Sequence, residues 1–206
     1  MPPLSGPYTI VTGQRSILFT LRDATADRHA PVDTVLSQAD LGDRRGYGRF
    51  LPAQAAAHIP VEEALDVLGI EAILADWPSR RRGDLIREDL DTLGLPLPPL
   101  EDQPRLGGVP ALLGAAYVLE GSALGGAVLE RSMAAGLPTL YLSTTRPAAW
   151  RDLITVIEAR LTDPDDLDAA IDAAHSLRNV RAQRTRPQVR AVSARVICLS
   201  TRTGER

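Results

Sequence analysis

From Ser16 onward apolar positions recur at three- and four-residue spacing and few segments alternate with period two, so the pattern predicts helices and an all-α fold. The first run is Ile17, Leu18, Leu21, Ala24, Thr25, Arg28, His29 and Val32. Pro31 lacks an N–H and crowds the turn before it, so this helix should kink or stop just beyond His29, with Leu21, Thr25 and His29 on one face. A polar turn over Asp40 to Gly48 leads to a second helix, bent or begun at Pro52 and ending at His58. Pro60 opens a third in the favoured first-turn position, with Glu62 and Glu63 complementing its dipole and an end by Asp76 to Ser79. The fourth spans Arg80 to Leu93 with Gly94 as its stop, but Arg80-Arg81-Arg82 carries the wrong sign for a helix N-terminus and moves the expected start to Gly83-Asp84.

A connector rich in proline and glycine fills 95–110, and Pro110 then starts a fifth helix that should end near Gly136. Leu140 to Leu142 is short and apolar and reads as possible extended chain with nothing to pair with. A sixth helix covers Pro147 to Leu161, and Asp163-Pro164 caps a seventh that reaches about Arg181. Residues 1–14 read as a disordered leader, 15–182 as one helical domain, and 183–206 as a basic tail without a clear period.

The fifth helix contains an energetic anomaly. Tyr117-Val-Leu-Glu-Gly-Ser-Ala-Leu-Gly-Gly-Ala-Val-Leu129 holds Gly121, Gly125 and Gly126, and each interior glycine costs about 0.5 to 1 kcal/mol relative to alanine. Close packing against another helix explains such glycines, and so does clearance for a flat ligand.

Composition narrows the chemistry. The net charge of −3 over 206 residues offers no field for nucleic acid, and no partner of that kind is expected. Every basic residue is arginine, which removes lysine-based covalent catalysis. The single Cys198 forms no internal disulfide, and with no Cys/His cluster at metal spacing a structural zinc site is not expected; a reducing cytoplasm fits best. The leader has neither a basic n-region nor an apolar core, so no membrane association is expected. His58 and His175 read as a partly buried structural residue and a surface residue. The arginines from Arg178 onward read as a solvated helix end or a disordered tail.

Two stretches together resemble a known family. Leu21-Arg-Asp-Ala-Thr-Ala-Asp-Arg-His29 is similar to the proximal-helix motif of the heme oxygenases, and Tyr117-Val-Leu-Glu-Gly-Ser-Ala-Leu-Gly-Gly126 to their distal-helix motif. With Asp89-Leu-Asp-Thr-Leu-Gly94 the pair looks most like the bacterial branch associated with phytochromes, and the match runs over roughly 16–177.

The resemblance implies a multi-helix bundle with heme between a proximal and a distal helix. His29 would be the iron ligand, Arg22 and Arg151 the cations for the propionates, and Thr25, Tyr117 and Gly126 further heme-binding residues. Gly121 and Gly125 would give clearance for porphyrin and O2. Ser122 stands where animal-type members carry an aspartate, and would anchor the distal hydrogen-bond network with a hydroxyl instead of a charge. Relatives close the last helix with an aromatic residue, for which only Leu177 or Val180 could substitute. The implied activity converts heme, O2 and electrons to biliverdin, CO and Fe2+, with a ferredoxin or flavoprotein reductase as donor and a bacterial phytochrome as recipient. A non-catalytic heme carrier of the same fold, and a helical domain for another small molecule, are the competing readings.

Overall fold

A computed structural model describes residues 17–26, 41–144 and 146–178, and every regular element among them is a helix. In chain order they are α1 (Ile17–Ala26), α2 (Arg44–Val67), a 3-10 turn (Ile70–Ala72), α3 (Trp77–Arg80), α4 (Gly83–Thr92), α5 (Gly108–Glu130), α6 (Leu140–Ser143), α7 (Pro147–Arg160) and α8 (164–178). The expected leader, His29, Val180, Cys198 and the basic tail lie outside the described residues.

The largest departure from expectation is α2, one 24-residue helix through both Pro52 and Pro60 where two helices were expected. A proline inside a helix costs roughly 3 kcal/mol, partly because the carbonyl four residues earlier loses its donor. At Pro60 that carbonyl belongs to Ala56, and it accepts the N–H of Glu101 from the connector at 3.0 Å. Burial supplies the rest. From Tyr47 to Leu65 nearly every side chain is buried, and the small Ala55, Ala56 and Ala57 let neighbours close on all sides.

Asp43 caps the start of α2 through the N–H of Gly46 at 2.6 Å. The start of α4 at Gly83 follows the charge argument, and its end is a Schellman closure with Leu95 N–H on Leu90 O, Gly94 N–H on Asp91 O, and Gly94 at φ 64°. Leu140–Ser143 is a helical turn, not the extended segment expected. The Asp89 carboxylate accepts the N–H groups of Leu140 at 3.1 Å and Tyr141 at 2.9 Å and so caps it. α5 ends at Glu130, one and a half turns before the expected Gly136. Asp163 accepts the N–H of Asp165 at 2.9 Å and opens α8.

Two cores result. One gathers Leu21 of α1, Val61 and Leu65 of α2, residues 112–119 of α5, Leu153 and Ile157 of α7, and Ala170, Ala174 and Leu177 of α8. The other joins the first half of α2 to Ile86 and Leu90 of α4 and Tyr141 and Leu142 of α6. α5 is long and apolar enough to cross a membrane by length and composition, with a mean hydropathy of 1.5. Its residues 111–119 are nonetheless the buried centre of the first core, which is the position of a core helix in a globular bundle.

Candidate functional site

Along α5 the residues at four-residue spacing, Tyr117, Gly121 and Gly125, share one face. Tyr117 is turned into the core, with its ring 5.3 Å from that of Trp150 on α7. A Cβ at Gly121 would meet Trp150 at 3.9 Å, and one at Gly125 would have no described residue within 4 Å. Leu124 and Val128 flank these glycines and are 38% and 62% exposed. The helix therefore leaves the core at Gly121 and presents an apolar strip with unusually low relief. A flat apolar group fits such a surface, since backbone without Cβ atoms permits close approach.

Gly126 lies elsewhere. A Cβ there would stand 3.3 Å from the carbonyl oxygen of Leu142, so this glycine serves the packing of α6 on α5. Ser122 sits beside the strip and is fully engaged on one side. Its Oγ–H donates to Leu119 O at 2.7 Å, and its oxygen accepts from Arg82 Nη2 at 2.9 Å. A hydroxyl has one proton and two lone pairs, so a single acceptor position remains.

Arg82 is the residue that sequence reasoning missed. It is 4% exposed, donates also to Leu119 O at 2.7 Å and Tyr141 O at 3.5 Å, and its guanidinium lies 4.8 Å from the Tyr141 ring. The signal was the triple arginine with the wrong sign for a helix start. The charge at that start is balanced by Glu62, whose carboxylate accepts from Arg82 N at 2.8 Å, from Gly83 N at 3.0 Å, and pairs with His58 Nε2 at 2.9 Å. Burial alone would raise the Glu62 pKa, but the hydrogen bond and charge of His58 and the two backbone N–H groups outweigh it and hold the carboxyl at about 2. Gln54, His58 and Glu62, spaced by four, thus make a buried polar stripe on α2 that ends at Arg82. Glu120 is also drawn inward, 3.8 Å from Arg80; burial raises the pKa of its carboxyl, and the opposing charges of Arg80, Arg82 and Arg146 do not cancel that rise.

On the other side of the bundle, α1 packs on α7 and buries Leu21 completely. Arg22 is exposed on α1, and Arg151 is exposed on α7 next to Trp150. Thr25 belongs to the backbone of α1, and its side chain lies outside the description, as does His29. His175, expected on the surface, is half-buried in α8 with Nε2 on the carbonyl of Ala24 at 2.8 Å. Leu177 is 4% exposed within the first core.

Comparison with known proteins fits this arrangement. No protein-family profile matches the chain. The fold is similar to that of the NO- and CO-bound heme oxygenase from Neisseria meningitidis, with a TM-score of 0.73 over 84% of this chain and 92% of that one at 21% identity. A heme oxygenase from Xanthomonas campestris pv. campestris (strain 8004) is 33% identical over 123 residues, which cover 56% of this chain and 74% of the relative. With that relative matched over most of its length, and an all-α bundle whose glycine-bearing helix presents an open apolar strip, the chain belongs to the heme oxygenase family of oxidoreductases.

Proposed function

We propose that this protein opens the heme ring to biliverdin, CO and Fe2+, drawing electrons from a ferredoxin or a flavoprotein reductase. The observation that carries the reading is the exposed strip of α5, where a Cβ at Gly125 would meet no described residue and one at Gly121 only Trp150. Heme, when bound, supplies the iron that activates O2 and is itself the ring that is cleaved.

The chain's own residues have separate tasks. His29, in the same motif as Thr25, offers a neutral imidazole as iron ligand. Arg22 and Arg151 are exposed guanidinium groups suited to carboxylate pairs and take the propionates. Thr25 stands four residues before His29 in the motif, and Tyr117 supports the strip from below through Trp150. Gly126 contributes by letting α6 approach α5. Ser122 has committed its proton to Leu119 O, so toward the strip it acts as a hydrogen-bond acceptor. A water bound there would be oriented with its second proton free, which is how a hydroxyl takes the place of a carboxylate in the distal network. The cytoplasm as compartment and a bacterial phytochrome as recipient of the product complete the reading.

Titration with hemin tests it. The wild type should saturate at one heme per chain with a Soret band that His29→Ala shifts or abolishes. An unchanged spectrum in that variant removes His29 as the ligand.

A further inference from the structure

We propose that His175 is a positioning residue for the segment that carries His29, an inference that rests on reading His29 as the iron ligand. Its ring nitrogen Nε2 lies 2.8 Å from the carbonyl oxygen of Ala24, 151 positions away in the chain. A carbonyl only accepts, so Nε2 carries the proton and His175 is the donor. Ala24 sits in the last described turn of α1, five residues before His29. A second element bonded to this carbonyl therefore holds the C-terminal turn of α1, which ends three residues before His29 in the sequence.

The element that holds His175 is itself fixed. Ala170 and Ala174 are fully buried and Leu177 nearly so, which locks α8 into the first core. The same helix presses the carbonyl of Ala170 against Gly114 of α5, where a methyl group has no room. α8 therefore touches α1 through His175 and the glycine-bearing helix α5 through Gly114. A slot for a flat ring needs walls at constant separation, and one strut bonded to both supplies it. His175 sets the α1 end of that strut.

Two substitutions separate a positioning role from mere packing. His175→Leu fills similar space without a donor, and His175→Gln puts an amide N–H near the place of Nε2. In the heme-free full chain, His175→Leu should speed amide hydrogen exchange over α1 by about tenfold, the loss of one hydrogen bond, with His175→Gln returning it toward wild type. In the ferrous heme complex, the iron–histidine stretching band should shift or broaden in His175→Leu and recover in His175→Gln. Exchange and band both unchanged in His175→Leu, or equal changes in the two variants, would overturn the proposal. A band that survives His29→Ala overturns the ligand reading instead, while the exchange rates still decide whether His175 holds α1.

Discussion

In the first half of α5, Gly114 meets the carbonyl of Ala170 so closely that a methyl group cannot be inserted, while in the second half Gly125 has no described residue within 4 Å of where its Cβ would stand, and Gly121 only Trp150 at 3.9 Å. The helix-propensity cost of a glycine is about the same at each place. At Gly114 it is offset by the contact of two helices in the core. At Gly125 nothing described in the fold offsets it, and the flanking Leu124 and Val128 remain exposed. The difference teaches that glycine content alone does not mark a ligand wall. What marks it is the glycine whose missing side chain leaves space unfilled by any described residue, beside apolar residues that remain exposed.

The sharpest break in this comparison is Gly114→Ala. The atom in the way is backbone, which cannot swing aside, so the variant should lose about 3 kcal/mol of stability, read as a large fall in the denaturation midpoint. A Gly114→Ala protein as stable as wild type would show that α8 does not lie against α5 as described.

The next effect falls on the polar flank of α5. Glu62→Gln keeps the shape of the side chain but weakens the cap on α4 and the His58 pair, at a cost of about 2 kcal/mol. Folded, the Glu62 carboxyl sits at about 2, below its ordinary 4.5. Between those values the unfolded chain binds the extra proton, so stability from this group is complete above about pH 4.5 and is lost as pH falls toward 2. Acid unfolding followed from pH 6 to 2 should therefore show a shallower decline in Glu62→Gln than in wild type. Parallel declines would remove Glu62 as the source.

The smallest effect on stability has the opposite sign. Gly125→Ala should raise the stability of the heme-free protein by about 0.5 to 1 kcal/mol, because the methyl group meets no described neighbour, and it should weaken hemin binding at the same time. A variant that is stabilised yet binds hemin as the wild type does would leave the open strip without a function.

Much of this architecture is legible in local sequence. The α4 start at Gly83, its Gly94 stop and the Asp163 cap of α8 follow from charge and cap chemistry within a few residues. The failures are contacts that arrive from far along the chain. Pro60 reads as a helix start until Glu101 is seen to satisfy Ala56 O, and Leu140–Leu142 reads as extended until Asp89 caps it. Arg82 and His175 were misjudged for the same reason, since their partners Leu119, Ser122 and Ala24 lie 37, 40 and 151 positions away. The two motifs that point to heme were readable because each is contiguous. How Ser122 is held was not, because its partner Arg82 comes from the link before α4, 40 positions earlier in the chain.

The most direct test of the account is turnover of the hemin-loaded protein with a reductant in air and catalase present. Catalase removes free peroxide, so ring opening under these conditions belongs to the protein. The account predicts loss of the Soret band with growth of biliverdin absorbance and release of CO. Heme that persists through the reaction, or is degraded only when catalase is left out, would contradict it and make the protein a heme carrier.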